Sequence, residues 1–506
     1  MNKRTFILVC FIGLKFFLQY ILLSPAYDLQ RDEYLHLDLG HHLAWGYLSV
    51  PPVTSWISYI IYISGNSVFW VKFFPALFGA FTIMVVWKAI EELKGDIFAL
   101  ILGATCVLFS ALLRLNTLYQ PNSLDVLCWT TIFFFLIKYF NRQEDKWLFL
   151  AAIIFALGFL NKYNIIFLVA GLFPAILLTS QRKLFLKNEF YLSVLIVFIL
   201  ITPNLIWQYK NDFPVVHHLK ELAETQLVNV DRAGFLKSQL SFFFGSLIII
   251  LSGLYALYFY KPFQKYRTFF WSFFFILIVF MYFKAKDYYA LGLYPVYIAF
   301  GAVFLADKLN RNRWKYLKPI LIALPFLFFI PMYQFGFPNK SPEYMVEHSN
   351  VYKKLGQLRW EDGKDHLIPQ DYADMLGWKE LVKKVDSIYT NLPNKDQTLV
   401  LCDNYGQAGA INYYTKENIK AVSFNADYVN WFDLETRYKN LIRVKDYKEN
   451  DTELIKTSPY FQESSLADSI ANRYAREYQT KIFVFIGAKV DINKRIKPEI
   501  EKAKKF

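Results

Sequence analysis

Arg31-Asp32-Glu33 sets two carboxylates side by side directly after an apolar run. Adjacent acids at such a border could supply a general base for an acceptor hydroxyl or amine. They could also hold a divalent cation. The competing reading is a solvated loop whose charges merely stop a helix. His36, Asp38, His41 and His42 follow, then Trp45-Gly46-Tyr47 and Pro51-Pro52. His41 and His42 are neighbours, so they point apart on a helix. His36 and His41 are one residue too far apart for a metal pair on one helical face, so a zinc site has little support.

Three further places carry charge where apolar sequence surrounds it. Asp125 falls just inside an apolar block, close to Arg114 and Asn122. A buried acid in a span is costly and needs a partner, unless it is simply a helix N-terminal acid favoured by the helix dipole. Lys162 divides two apolar blocks, and Lys284 and Lys286 sit in a short polar segment ending in Tyr288-Tyr289. Such cations could hold a phosphate at a membrane face, or only touch lipid head groups. Asn404-Tyr-Gly406-Gln-Ala-Gly409 follows a strand pattern and opens a helical one. Its glycines could cradle an anion, though a turn required by packing is the stronger reading. Walker, nucleophile-elbow and HExxH patterns are all missing from the 506 residues, so ATP-driven transport, serine hydrolysis and metalloprotease chemistry have no support.

The elements that must position these residues are membrane spans. The chain holds 50 Phe and 35 Tyr, and to about residue 335 it is a series of apolar blocks with short polar punctuation. Blocks near twenty residues match a bilayer core as helices. They predict about eleven spans, at 5–24, 67–87, 97–113, 123–140, 147–161, 164–179, 190–207, 239–260, 268–283, 290–306 and 318–335. Lys3 and Arg4 precede the first, which reads as a retained signal anchor. Lys15 within it needs a polar partner. Cys10, Cys106, Cys128 and Cys402 have no metal or disulfide spacing.

Charge sets the orientation. With the N-terminus in the cytoplasm, the N-terminus and the inner turns (Lys88 to Lys94, Asn141 to Lys146, Gln181 to Lys187, Lys261 to Arg267, Lys308 to Lys318) hold about 17 Lys and Arg, against about 9 in the opposite loops. The net charge of +14 is thus used for topology rather than for nucleic acid. An odd number of spans then places the C-terminal part outside. Two outer loops are long, 25–66 and 208–237, and Val53 to Ile63 in the first is an interfacial stretch too short to span. The chain therefore divides into a membrane domain, 1–335, with its first outer loop at 25–66, and an extracytoplasmic α/β domain, 336–506. In the latter a helix is expected over 375–392, strands over 398–402, 421–424 and 482–486, and a frayed basic tail from Asn493 to Phe506.

Arg31-Asp32-Glu33-Tyr34, His42 to Tyr47 and Pro51-Pro52 together resemble the first outer loop of the bacterial PMT/ArnT-like glycosyltransferases of the GT-C class, most closely the RgtA/B/C/D-like members of glycosyltransferase family 39. Asn122 to Trp129, Leu160-Asn-Lys-Tyr163, Lys286-Asp-Tyr-Tyr289 with Tyr294-Pro295, Gln370 to Trp378 and Asn404 to Gly409 extend the resemblance over most of the chain. It implies a polytopic α-helical membrane enzyme of GT-C type with a C-terminal α/β soluble domain. Such an enzyme moves a sugar from a polyprenyl-phosphate donor to a lipid, glycan or protein acceptor at the outer face of the inner membrane. By the same resemblance Asp32 is the base, or orients the acceptor, with Glu33 beside it as the catalytic pair. Arg31, His41 and His42 bind substrate, and Asp125 binds acceptor, sugar or metal. Lys162, Lys284 and Lys286 hold the donor phosphate. The metal stays open, since the class contains both kinds: either no cofactor or a divalent cation. The rival class is a secondary transporter or lipid flippase, which would require inverted repeats and helices broken near the midplane. No such halves are visible in the sequence, and the charges gather on one face.

Overall fold

The computed structural model describes residues 2–225, 227–310, 312–446 and 452–504. Apolar length produces the bundle. Among the described residues seven helices are long and apolar enough to cross a membrane: Lys3–Ile21 (α1), Val68–Glu92, Asn122–Arg142, Asn188–Lys210, Lys261–Tyr282, Asp287–Leu309 and Trp314–Gly336. Two bent pairs raise the number to nine: Tyr163–Leu177 with Ser180–Leu186, and Arg232–Phe242 with Phe244–Phe259. The segments expected to span at 97–113 and 147–161 form shorter apolar helices, Ile97–Leu108 and Lys146–Asn161. Each of the eleven apolar blocks is thus helical, while seven to nine reach spanning length.

The buried charge in the middle of α1 has its partner. Lys15 Nζ donates to Gln19 Oε1 at 2.5 Å, one helical turn along. Gly79 provides the space, since a Cβ there would lie 2.7 Å from Lys15 Cε.

The first long loop folds on itself. Arg31–Leu39 is a helix (α2) and Val53–Ile63 another (α3). A reciprocal capping box starts α2: the Gln30 side chain accepts from the backbone of the first turn, and the Glu33 side chain accepts from Gln30 N. This fixes where the helix begins, and hence which way Asp32 and Glu33 point. The outward side chains of α3, Tyr59, Ile60, Tyr62 and Ile63, are exposed apolar groups.

The C-terminal region is α/β, as expected, around a five-stranded sheet of order β2-β1-β3-β5-β4. The strands are β1 Thr398–Cys402, β2 Ala421–Ser423, β3 Asn440–Lys445, β4 Phe461–Ser469 and β5 Lys481–Ala488. β1 pairs in parallel with β2 and β3, and β5 runs antiparallel to β3 and β4. The expected helix at 375–392 starts at Trp378, because Gly377 (φ 85°) breaks the chain ahead of it. The expected frayed tail is instead a helix, Ile492–Ala503, capped by Asp491. Ile492, Ile496 and Ile500 recur every four residues and bury one face against the sheet. Arg311 of the Lys308 to Lys318 turn, Gln226 of the 208–237 loop, and Lys505 and Phe506 of the tail lie outside the described residues.

The loop and the C-terminal region share one core. Leu29, Tyr34, Leu35 and Leu37 from and just before α2 pack with Trp378, Leu381, Val400, Ile411 and Ile442. The helix α4, Tyr405–Tyr414, lies directly on α2. Gly409 permits the approach, since a Cβ there would fall 2.7 Å from Tyr34 Cβ. The glycines of the Asn404 to Gly409 motif therefore serve packing.

Candidate active site

Neighbouring residues on a helix diverge by about 100°, so Asp32 and Glu33 meet different surroundings. Glu33 is 0% exposed. Both its oxygens accept from Lys72 Nζ, at 2.6 and 2.7 Å. Tyr119 N donates to Oε1 and Gln30 N to Oε2, each at 2.7 Å. Every lone pair with good geometry is used, which is the condition for a stable buried charge. Glu33 thus joins α2 to the second helix of the bundle and to the turn before Asn122.

Asp32 is half-buried. Its Oδ1 accepts from Tyr405 Oη at 2.6 Å, and its Oδ2 takes only a longer bond from Gln120 Nε2, 3.3 Å. From there a polar chain runs through three separate loops. Asn122 Nδ2 donates to Gln120 Oε1 at 2.9 Å, and Lys162 Nζ donates to Asn122 Oδ1 at 2.6 Å. Lys162 stands in extended backbone between Lys146–Asn161 and the next helical segment, with its ammonium 4.1 Å from the Tyr289 ring centre. Asp125 is buried beside it. Trp129 Nε1 donates to one oxygen at 3.1 Å and Asn164 Nδ2 to the other at 2.8 Å. Asn164 also donates to Tyr289 O at 3.0 Å, which ties the second and third loops to the Lys286-Asp-Tyr-Tyr289 segment.

Lys286 closes the set. It is near enough to act electrostatically on Lys162, and Asp32 acts on it in turn. Its ammonium pairs with Glu361 at 2.6 Å. Burial disfavours the Lys286 charge, but Glu361 outweighs it and holds Lys286 above the ordinary lysine range. Burial likewise works against Glu361, which Lys286 and Gln370 hold below the usual carboxylate range.

Arg31 lays its guanidinium over Tyr405, 4.1 Å from the ring centre. His36, four residues after Asp32 and so on the same face of α2, is buried. Burial pushes its pKa down, so the ring is neutral. Arg31 Nε, His36 Nδ1 and Asn164 Oδ1 are buried with no hydrogen-bond partner among the described residues.

Of the sequence candidates, Asp32, Arg31, Asp125, Lys162 and Lys286 come together. His41 and His42 do not: His41 meets Tyr62 edge-on at 4.3 Å and His42 stacks on Trp431 at 4.1 Å, and both residues are exposed. The partial desolvation of the rings lowers both, His42 to about 4. The Lys284 side chain has no partner among the described residues. The cation reading of the paired carboxylates fails on geometry, because Glu33 has no oxygen to spare and faces away from Asp32. The described residues also contain no group of three or more His, Cys, Asp or Glu able to hold a metal. Tyr405, Gln120, Tyr289 and Glu361 join the set without having been singled out individually. Tyr405 had a signal, in the Asn404 to Gly409 motif. Glu361 had none.

Comparison with known proteins agrees with this architecture. Residues 49–207 match the family described as dolichyl-phosphate-mannose-protein mannosyltransferase. ArnT from Cupriavidus metallidurans bound to undecaprenyl phosphate superposes with a TM-score of 0.62 at 12% identity, covering 97% of this chain and 99% of that one. Its apo state gives 0.60 at 13%, covering 96% and 98%. The archaeal oligosaccharyltransferase AglB from Archaeoglobus fulgidus, in complex with an inhibitory peptide and a dolichol-phosphate, gives 0.50 at 11%, covering 88% and 70%. No curated protein matches in sequence. The fold is therefore of the GT-C type, a multi-pass helical bundle with a small C-terminal sheet domain, and the PMT/ArnT-like resemblance read from the sequence is met by both comparisons.

Proposed function

We propose that the protein is a membrane glycosyltransferase that moves a sugar from a polyprenyl-phosphate donor to a cell-envelope acceptor, at the outer face of the inner membrane. The observation that carries this reading is the continuous polar chain Asp32–Gln120–Asn122–Lys162. It joins an incompletely satisfied carboxylate to a cation that has no acidic partner within ion-pair distance among the described residues. A base and an anion holder are the two groups that transfer from a phosphate-linked sugar requires.

In this reaction the acceptor's O–H proton passes to Asp32. The acceptor oxygen attacks the anomeric carbon, and the bond from that carbon to the phosphate oxygen breaks. The electron pair leaves with the polyprenyl phosphate, whose charge Lys162 and Lys286 hold. One displacement inverts the anomeric centre. Asp125 anchors Asn164 and faces Lys162 electrostatically, which positions the cation. Glu33 positions α2 and takes no proton. The buried orphan atoms Arg31 Nε, His36 Nδ1 and Asn164 Oδ1 suit a polar ligand such as a sugar.

The test is a transfer assay on purified protein in nanodiscs with a panel of polyprenyl-phosphate sugars, wild type beside Asp32→Asn. Donor consumption by wild type alone supports the reading. Turnover retained by Asp32→Asn removes Asp32 as base.

A further inference from the structure

The Asn404-Tyr405-Gly406 turn reaches further than packing requires. The Asn404 side chain accepts from Gln407 N at 3.0 Å and starts α4 at Tyr405. Glu477 holds the same turn, accepting from Asn404 Nδ2 at 3.3 Å and from Gln407 Nε2 at 2.5 Å. A Cβ at Gly406 would lie 2.7 Å from Arg31 Cγ and 3.0 Å from Trp378. The first turns of α2 and α4 are thus in contact at the residue before Asp32. That contact delivers the Tyr405 hydroxyl to Asp32 Oδ1 and its ring to the Arg31 guanidinium. Farther along α2, Asp38 Oδ2 accepts from Tyr428 Oη at 2.6 Å and Asn412 Nδ2 at 2.8 Å, so the two helices are pinned at both ends.

We propose that Tyr405 is a positioning residue for the transfer reaction, and that the C-terminal domain is therefore part of the catalytic centre. This rests on the reading of Asp32 as the base. By donating to Oδ1, Tyr405 fixes the carboxylate's rotation. It leaves Oδ2, held only by the longer Gln120 contact, as the oxygen that receives the acceptor's proton. Tyr405 keeps its own proton throughout: burial and the Asp32 charge push its phenol well above the ordinary range. No bond to Tyr405 forms or breaks.

Tyr405→Phe isolates the hydroxyl, because it keeps the ring over Arg31 and the apolar contacts. In nanodiscs, with an undecaprenyl-phosphate sugar that the wild type consumes, the expected result is a fall in kcat of roughly tenfold or more. Donor KM stays within about twofold and thermal stability is close to wild type. A purely architectural Tyr405 would leave kcat unchanged. A second readout needs no donor: modification of Asp32 by a hydrophobic carbodiimide against pH, read by peptide mass spectrometry. Loss of a donor to the charged carboxylate moves the labelling midpoint to higher pH. Arg31, Glu33, His36, Lys286, Tyr288 and Asp374, titratable or charged groups near Asp32, are unchanged in the variant.

Wild-type kcat together with an unmoved midpoint overturns the proposal while Asp32→Asn stays inactive. An active Asp32→Asn overturns the base reading and this inference with it. Where no donor of the panel turns over, the labelling midpoint alone decides.

Discussion

Two acid–base sets lie back to back across the first turn of α2, built from the same residue types. On the inner side, Glu33 and Lys72 form a closed pair with backbone donors filling the remaining positions. On the other side, Asp32 is linked to Lys162 through the amides of Gln120 and Asn122 and is near enough to act on Lys286, with no direct ion pair of its own among the described residues. Satisfaction separates the two. A buried charge whose partners are complete resists any ligand, because binding would first break those bonds. A carboxylate and a cation held near one another yet apart, as Asp32 and Lys162 are, keep capacity for an incoming hydroxyl and phosphate. Composition cannot show this difference, but hydrogen-bond bookkeeping can.

The comparison breaks most visibly at its two acids. Asp32→Asn is expected to lower kcat by about a thousandfold while melting in detergent stays close to wild type. A large drop in melting temperature would make Asp32 a second structural acid. Lys72→Met strands Glu33 as an unpaired buried charge and should cost about 3–5 kcal/mol, read as loss of folded yield. Adding Glu33→Gln restores part of it, and a single variant as stable as wild type would dissolve the contrast.

Smaller effects sharpen it. Lys162→Ala should raise donor KM by about tenfold and change kcat less. Donor dependence identical to wild type would take Lys162 out of the phosphate site. Glu361→Gln frees Lys286 from its carboxylate, so donor KM should fall about two- to threefold, and a rise would show that Glu361 aids binding.

The smallest expected effect concerns pH. Burial raises Asp38 from 3.8 to about 6 despite its bonds from Tyr428 and Asn412. Between those values the folded state binds the extra proton, so this group's contribution to stability falls as pH rises through the window. Asp38→Asn removes that share, and the melting temperature in detergent should vary less between pH 4 and pH 6. Asp374, also raised to about 6, keeps its own part. An unaltered slope would mean that Asp38 does not titrate there.

The helical apolar blocks were legible because apolar length is a local property, though two of the eleven fall short of spanning length, and so were the residue types at Asp32, Asp125, Lys162 and Lys286. Direction was not legible. Glu33 sits beside Asp32 in the chain, and only the capping box and helical rotation turn it toward Lys72. His41 and His42 carry the right chemistry in the right loop, yet ring contacts with Tyr62 and Trp431 take them elsewhere. β3 and β4 both escaped notice: β3 is central and buried but interrupted by Arg443, and β4 is an edge strand with most of its residues exposed, so it shows no apolar alternation. Glu361 gave no local sign of its partner, since what gives it a role is Lys286, far away in sequence.

The bond between Tyr405 and Asp32 joins residues 373 positions apart. During synthesis the carboxylate emerges long before its phenol. Every spanning helix can enter the bilayer while α2 still lacks the surface that fixes its first turn. On the reading of Asp32 as the base, the site is completed by a region made after the described spanning helices, so a half-translated chain occupies the membrane without a finished site. Transfer activity, on that reading, would report that translation has reached residue 405 and that this region has folded back onto the loop made first.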